Sequence, residues 1–111
     1  MTETIASSPA LRCELRRENG TARVRVEGEL EEVSALTLAD TCMHALDADG
    51  DATLDLGGVT FADGTGTMMI ATMQRAFSHS GHHLRIVNVP ARMRREAELL
   101  ELDDESLPIA S

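Results

Sequence analysis

The run Leu54-Asp55-Leu56-Gly57-Gly58-Val59-Thr60-Phe61-Ala62-Asp63-Gly64-Thr65-Gly66 constrains the fold of this chain more than any other. Its alternating apolar start predicts a strand, an acidic, glycine-flanked turn follows at 63–66, and an apolar helix begins at once. Strands separated by helices imply right-handed crossovers and parallel pairing. The same layout puts the Thr65 hydroxyl at or near a helix N-terminus. Free backbone N–H groups and the helix dipole favour negative charge there, so a phosphate, bound or covalently attached, suits the position.

Upstream, residues 11–17 and 22–27 alternate in the same manner (Leu11, Cys13, Leu15; Ala22, Val24, Val26), and Asn19-Gly20 between them predicts a tight hairpin. Gly28-Glu29-Leu30 breaks the alternation and leads to a helix with Ser34 at its N-cap. Leu38, Cys42, Ala45 and Leu46 repeat along it at helical spacing until the turn Asp49-Gly50-Asp51. A short strand at 53–56 precedes the 63–66 turn. The second helix runs over about 65–80, with Gly66, Ile70, Met73 and Phe77 on one face and Gly81 as its left-handed C-cap. Residues 84–89 are apolar enough for a buried strand. Pro90 starts a third helix that turns Met93, Ala97 and Leu100 toward the sheet, and residues 107–109 either add a short strand or cover the core. The predicted fold is α/β: a mixed sheet of four to five strands with an N-terminal β-hairpin and helices packed on the sheet. Residues 1–10 read as a flexible tail and 11–111 as one domain.

Composition narrows the partners. A chain of 111 residues buries a working core without staples, and with no Trp, no Tyr and two Phe that core is aliphatic and Met-rich. Nineteen acidic residues against ten basic ones, every base an Arg, give a formal charge of −9. Such a balance repels nucleic acid and anionic membrane surfaces and suits a protein or cationic partner. Cys13 and Cys42 fall at apolar positions of a strand and a helix, as reduced thiols do in a cytoplasmic protein. No apolar run approaches the length of a membrane span.

The element order, with Gly28-Glu29-Leu30, Leu54-Asp55-Leu56-Gly57-Gly58-Val59, Phe61 and Asp63-Gly64-Thr65-Gly66, resembles the STAS family of anti-sigma factor antagonists. The segments Leu84-Arg85-Ile86-Val87-Asn88-Val89-Pro90, Arg94-Arg95 and 99–103 continue the resemblance, which spans residues 11–107. In that family the turn usually reads Asp-Ser-Ser-Gly, and its second hydroxyl residue is phosphorylated by the partner. The matching position here is Thr65. The resemblance implies an anti-sigma factor with a histidine-kinase-like ATP fold as partner and kinase, which supplies ATP and Mg²⁺; a regulatory phosphate would in turn require a phosphatase. It implies a binding face made of Asp63, Gly64, Thr65, Gly66, Thr67 and Met68, flanked by Gly28, Glu29 and Glu31. The turn departs from the usual pattern at Gly64, at Thr65 itself, and at Thr67-Met68 where Leu-Gly is usual.

Other readings stand beside these. Thr65 serves either as a regulatory hydroxyl or simply as a helix cap, and Asp63 either caps the helix or orients that hydroxyl. Met69 and Met73 read as core and Met68 as surface. His79, His82 and His83 cluster around Gly81, but no cysteine or carboxylate lies close by in sequence to complete a metal set, so they read as solvated. Arg92, Arg94 and Arg95 read as a solvated helix face. The turn lacks a nucleophile paired with a base, so the chain is expected to be a binder and a kinase substrate, without cofactor or metal of its own. A rival is a non-phosphorylated STAS scaffold or accessory subunit of a signalling or phospholipid-transport complex. Oligomeric state is open, and a weak homodimer is compatible with the sequence.

Overall fold

A computed structural model describes the backbone of residues 2–7, 10–18, 20–99 and 109–110, and the side chains of 10–17 and 20–99. The elements run β1 (Thr2–Ser7), β2 (Leu11–Glu18), β3 (Thr21–Leu30), α1 (Ala35–Asp49), β4 (Ala52–Ala62), α2 (Gly64–His79), β5 (Leu84–Val87), α3 (Ala91–Leu99) and β6 (Ile109–Ala110). All strands share one mixed sheet in the order β1-β2-β3-β4-β5-β6. The first three are antiparallel neighbours, and β3-β4, β4-β5 and β5-β6 pair in parallel. The α/β fold with its opening hairpin is therefore the one expected, and Gly20, at φ 78°, turns that hairpin with Glu18 opposite Thr21.

The sheet has one strand more than expected, β1, and β6 is the short terminal strand, one of the two alternatives expected of the C-terminal segment. On one side the expected tail is β1, antiparallel to β2 from Thr2↔Arg16 to Ser7↔Arg12. On the other, β6 pairs with Ile86 and Val87. Two predicted breaks are also crossed by strand. Gly28 stays in β3 at φ 107°, with the register shifting just after it, so the strand continues to Leu30. Gly57-Gly58 likewise does not end β4, which reaches Ala62 and delivers the chain straight to Asp63.

One face of the sheet carries the core. Leu11, Cys13, Leu15, Ala22, Val24, Val26, Leu54, Leu56, Leu84 and Ile86 point from it into α1, α2 and α3, which contribute Leu38, Cys42, Ile70, Phe77 and Met93. Burying aliphatic side chains of this size stabilises by about 1.5–3 kcal/mol each. Cys13 and Cys42 lie in this layer as free thiols; burial pushes them up to about 11 and about 12, so neither is ionised at neutral pH. Met93 and Ala97 are buried as expected, while Leu100 and Leu107 lie outside the described residues.

Candidate functional site

The end of β4 and the start of α2 form the site. Asp63 is extended (φ −97°, ψ −179°), and its carboxylate accepts the Gly66 N–H at 2.7 Å, which makes it the helix N-cap. Its carbonyl takes both the N–H and the hydroxyl of Thr67 at 3.0 Å. Those bonds satisfy the Gly66 and Thr67 donors of the first turn, and Gly64 and Thr65 keep theirs without a partner among the described residues. Thr65 occupies the second helical position, exposed, and its hydroxyl makes no hydrogen bond among the described residues. Of the two readings of Asp63, the structure selects the cap: the carboxylate engages Gly66 and leaves the Thr65 hydroxyl alone.

The other expected face residues separate into two groups. Met68 is exposed next to Thr65 along α2, whereas Met69 packs against the core and Met73 is buried. Gly66 and Thr67 are buried and are not surface residues. A Cβ on Gly66 would stand 2.6 Å from the Leu30 carbonyl oxygen, so this glycine lets α2 approach the end of β3 rather than a partner. Thr67 turns its hydroxyl back onto its own helix, and that satisfied polar group can be covered. Leu30 also accepts the Asp63 N–H at 3.1 Å, so the end of β3 and the start of α2 are joined. Glu29 is exposed at the end of β3 and Glu31 is half-buried at the start of the next turn.

That turn is held by Ser34. Its hydroxyl donates to the Glu29 carbonyl at 2.7 Å and accepts the Glu31 N–H at 2.9 Å. Ser34 sits at the N-cap of α1 as expected but in helical geometry and without a side-chain cap bond, so its hydroxyl braces the turn instead. The brace presents Val33 at 76% exposure and Leu36 at 65%. Phe61, at the end of β4, is also exposed, and the Arg92 guanidinium lies 5.7 Å from its ring centroid. Arg92 is exposed, as a solvated helix-face residue is expected to be, and its guanidinium also lies over the Phe61 ring. Val33, Leu36, Phe61 and Met68 thus add an apolar surface to the end of the sheet that carries Thr65.

A family profile described as "Mlab, STAS domain" matches residues 13–109. The chain is a STAS domain. No curated protein matches it, but solved structures do. An anti-sigma factor antagonist from Mycobacterium paratuberculosis superposes with a TM-score of 0.71 at 22% identity, over 93% of this chain and 88% of that one. The antagonist SpoIIAA in its unphosphorylated form gives 0.69 at 16%, over 89% and 88%, and the phosphorylated form from Bacillus gives 0.66 at 17%, over 89% and 91%. The murine anion transporter Slc26a9 gives 0.65 at 17% identity, over 88% of this chain and 18% of its own. The chain likewise spans 17% of a second SLC26A9 structure and 19% of Mglu. These likenesses carry the fold, and the family follows from the profile.

Two features of the STAS domain away from Thr65 escaped the sequence reading. Asp51, 31 residues from His82, accepts the His83 N–H at 3.0 Å and lies 3.2 Å from His82 Nδ1, so a carboxylate does reach the histidine cluster. Asp55 is buried within β4. It accepts from Asn88 Nδ2 at 3.0 Å, from the Gly57 N–H at 2.9 Å and from Arg23 Nη2 at 2.8 Å. Burial opposes its charge, yet those three donors outweigh it and hold the carboxyl below the usual range. A depressed folded-state pKa stabilises the fold above the unfolded value, about 3.9, and the gain is lost as pH falls through the folded value. Asp55→Asn is expected to remove that part of the acid limb and to lower stability near neutral pH by about 1–3 kcal/mol. Urea unfolding at pH 7 and across the range below 4 checks it; an unchanged acid limb in the variant would assign the pH dependence to other carboxylates.

Proposed function

We propose that this STAS domain is an anti-sigma factor antagonist, acting in the cytoplasm, that binds an anti-sigma factor with a histidine-kinase-like ATP fold and is released when that partner phosphorylates Thr65. The observation that carries the reading is the exposed, unbonded Thr65 hydroxyl on the first turn of α2, held by the Asp63 cap and accompanied by exposed Met68, Val33, Leu36 and Phe61. A kinase needs a hydroxyl it can reach, and a partner needs apolar area to bury around it. The kinase brings ATP and Mg²⁺, this chain contributes the acceptor and the docking face, and a phosphatase restores it. The chain is a binder and substrate and does no catalysis itself. Freed sigma factor then directs transcription.

Phosphosite mapping and intact mass of the protein expressed in its native cells, with and without stress, test the proposal. The expected result is one phosphate, on Thr65, whose occupancy changes with the stress. Unmodified Thr65 in cells where the kinase is present would overturn it. A second reading, a STAS scaffold or accessory subunit of a signalling or transport assembly that is never phosphorylated, draws support from the likeness to a domain inside an anion transporter. Glycine at 64 and methionine at 68, in place of the usual serine and glycine, point the same way.

A further inference from the structure

Among the described residues no helix lies on the face of the sheet opposite α1–α3, and its charges are ordered by strand register. One cross-strand row reads Arg16, Arg23, Thr53 and Arg85 on β2 through β5. It contains three arginines and no carboxylate. The next row reads Glu14, Arg25, Asp55 and Val87, and beyond it Arg12 faces Glu27. Five arginines against three carboxylates leave these rows with two positive charges, on a chain whose formal charge is −9.

The layering strengthens the contrast. The Glu14 and Asp55 side chains are sunk, at 16% and 4% exposure, Arg12, Arg16 and Arg25 stand exposed above them, Arg23 is half-buried, and Glu27 is as exposed as Arg25. Arg12 and Arg16 pair with Glu14, Arg23 with Asp55, and Arg25 with Glu27 and Asp55, but a guanidinium has five N–H donors and each bridge uses few of them. Arg85 is exposed and makes no ion pair or hydrogen bond among the described residues. Arg16 lies directly opposite Arg23, a like-charge pairing that costs a sheet stability. Shallow hollows of about 140 and 400 Å³ adjoin on this face, lined by Arg12, Glu14, Arg16, Arg23, Arg25, Glu27 and Asp55.

We infer that this row docks an acidic, extended segment of a partner protein, independently of the Thr65 face. The arginines span three strand spacings, roughly 14 Å at about 4.8 Å per strand. That span asks for several separated anionic groups. The sunken carboxylates repel an anion that enters deeply, which favours a ligand lying across the surface over a small ion. These rows carry no aromatic side chain on which bases could stack, and the rest of the chain repels a long polyanion, which disfavours nucleic acid.

Fluorescence anisotropy with the full chain and a labelled peptide of alternating Glu and Ser tests the inference. Binding is expected at an ionic strength of about 0.1 M and should weaken about tenfold toward 1 M, where the Debye length falls from about 10 Å to about 3 Å. Arg16→Gln and Arg85→Gln should each weaken it about threefold. Arg75→Gln, which removes the same charge from the exposed side of α2, should leave it unchanged. Because Arg85 makes no bond within the described residues, loss in Arg85→Gln reports the site and not the fold. No binding at about 0.1 M, an equal loss in Arg75→Gln, or tighter binding of tripolyphosphate or an oligothymidine of equal charge would each overturn the inference.

Discussion

Gly28→Ala is expected to destabilise the domain by about 3 kcal/mol, the largest loss of any single methyl addition on the sheet. Two separate penalties combine. Gly28 adopts φ 107°, a region that L side chains rarely enter. Its added Cβ would also stand 2.2 Å from the Ala10 carbonyl oxygen. That oxygen cannot simply retreat, because it accepts the Glu29 N–H at 2.8 Å and precedes Leu11, which is buried and pairs with Gly28. Relief therefore breaks either the hydrogen bond or the start of the β2–β3 ladder. Gly20→Ala is the control: φ is 78° and nothing lies within 4 Å of its Cβ, so only the left-handed cost of about 1–2 kcal/mol applies. For a domain of this size each kcal/mol lowers Tm by about 4–8 °C, so thermal melts should place Gly28→Ala well below Gly20→Ala. Circular dichroism is the readout, since the chain has no Trp or Tyr. Equal melting temperatures would show that Ala10 yields freely and that the close approach stabilises nothing.

Gly28 also marks where sequence reading stops. Periodicity is a local signal, so the hairpin, α1 and α2 were legible from alternation and from the spacing of Leu38, Cys42 and Ala45, or of Ile70, Met73 and Phe77. A glycine inside such a pattern reads as a break. Whether it ends a strand or lets the strand slip depends on a neighbour elsewhere in the chain. At Gly28 that neighbour is Ala10. At Gly58 it is the Val26 carbonyl, 2.8 Å from where a Cβ would be, and β4 continues past it with its register shifted against β3. Polarity misleads for a related reason. Thr67 reads as surface until its hydroxyl is seen on the Asp63 carbonyl. Asp55 alternates with Leu54 and Leu56 in sequence, and only the fold brings Asn88, 33 residues on and itself at φ 56°, to meet it. For the apolar surface a signal was present and unread: Leu36 lies two residues before Leu38, on the far side of the α1 stripe that faces the core.

Thr65→Glu is expected to weaken capture of the proposed anti-sigma partner by about 100-fold, or about 2.7 kcal/mol, while Thr65→Ala leaves it within about threefold. The asymmetry follows from where the charge would go. Within the free domain a negative group at position 65 meets the open Gly64 and Thr65 N–H groups and the positive end of the α2 dipole, so the fold tolerates it despite the nearby Asp63. In a complex the same group would be covered along with Met68, Val33, Leu36 and Phe61, and taking an unpaired carboxylate out of water costs several kcal/mol. Alanine removes a hydroxyl that makes no bond within the described residues, so it removes little from the free domain. Capture by each variant from native lysates, with the kinase quantified by mass spectrometry and Tm measured alongside, separates loss of binding from loss of fold. Val33→Ser should weaken capture in either background, because it strips apolar area and leaves residue 65 untouched. If alanine and glutamate weaken capture equally, Thr65 is a buried contact of a permanent assembly and the scaffold reading replaces the switch.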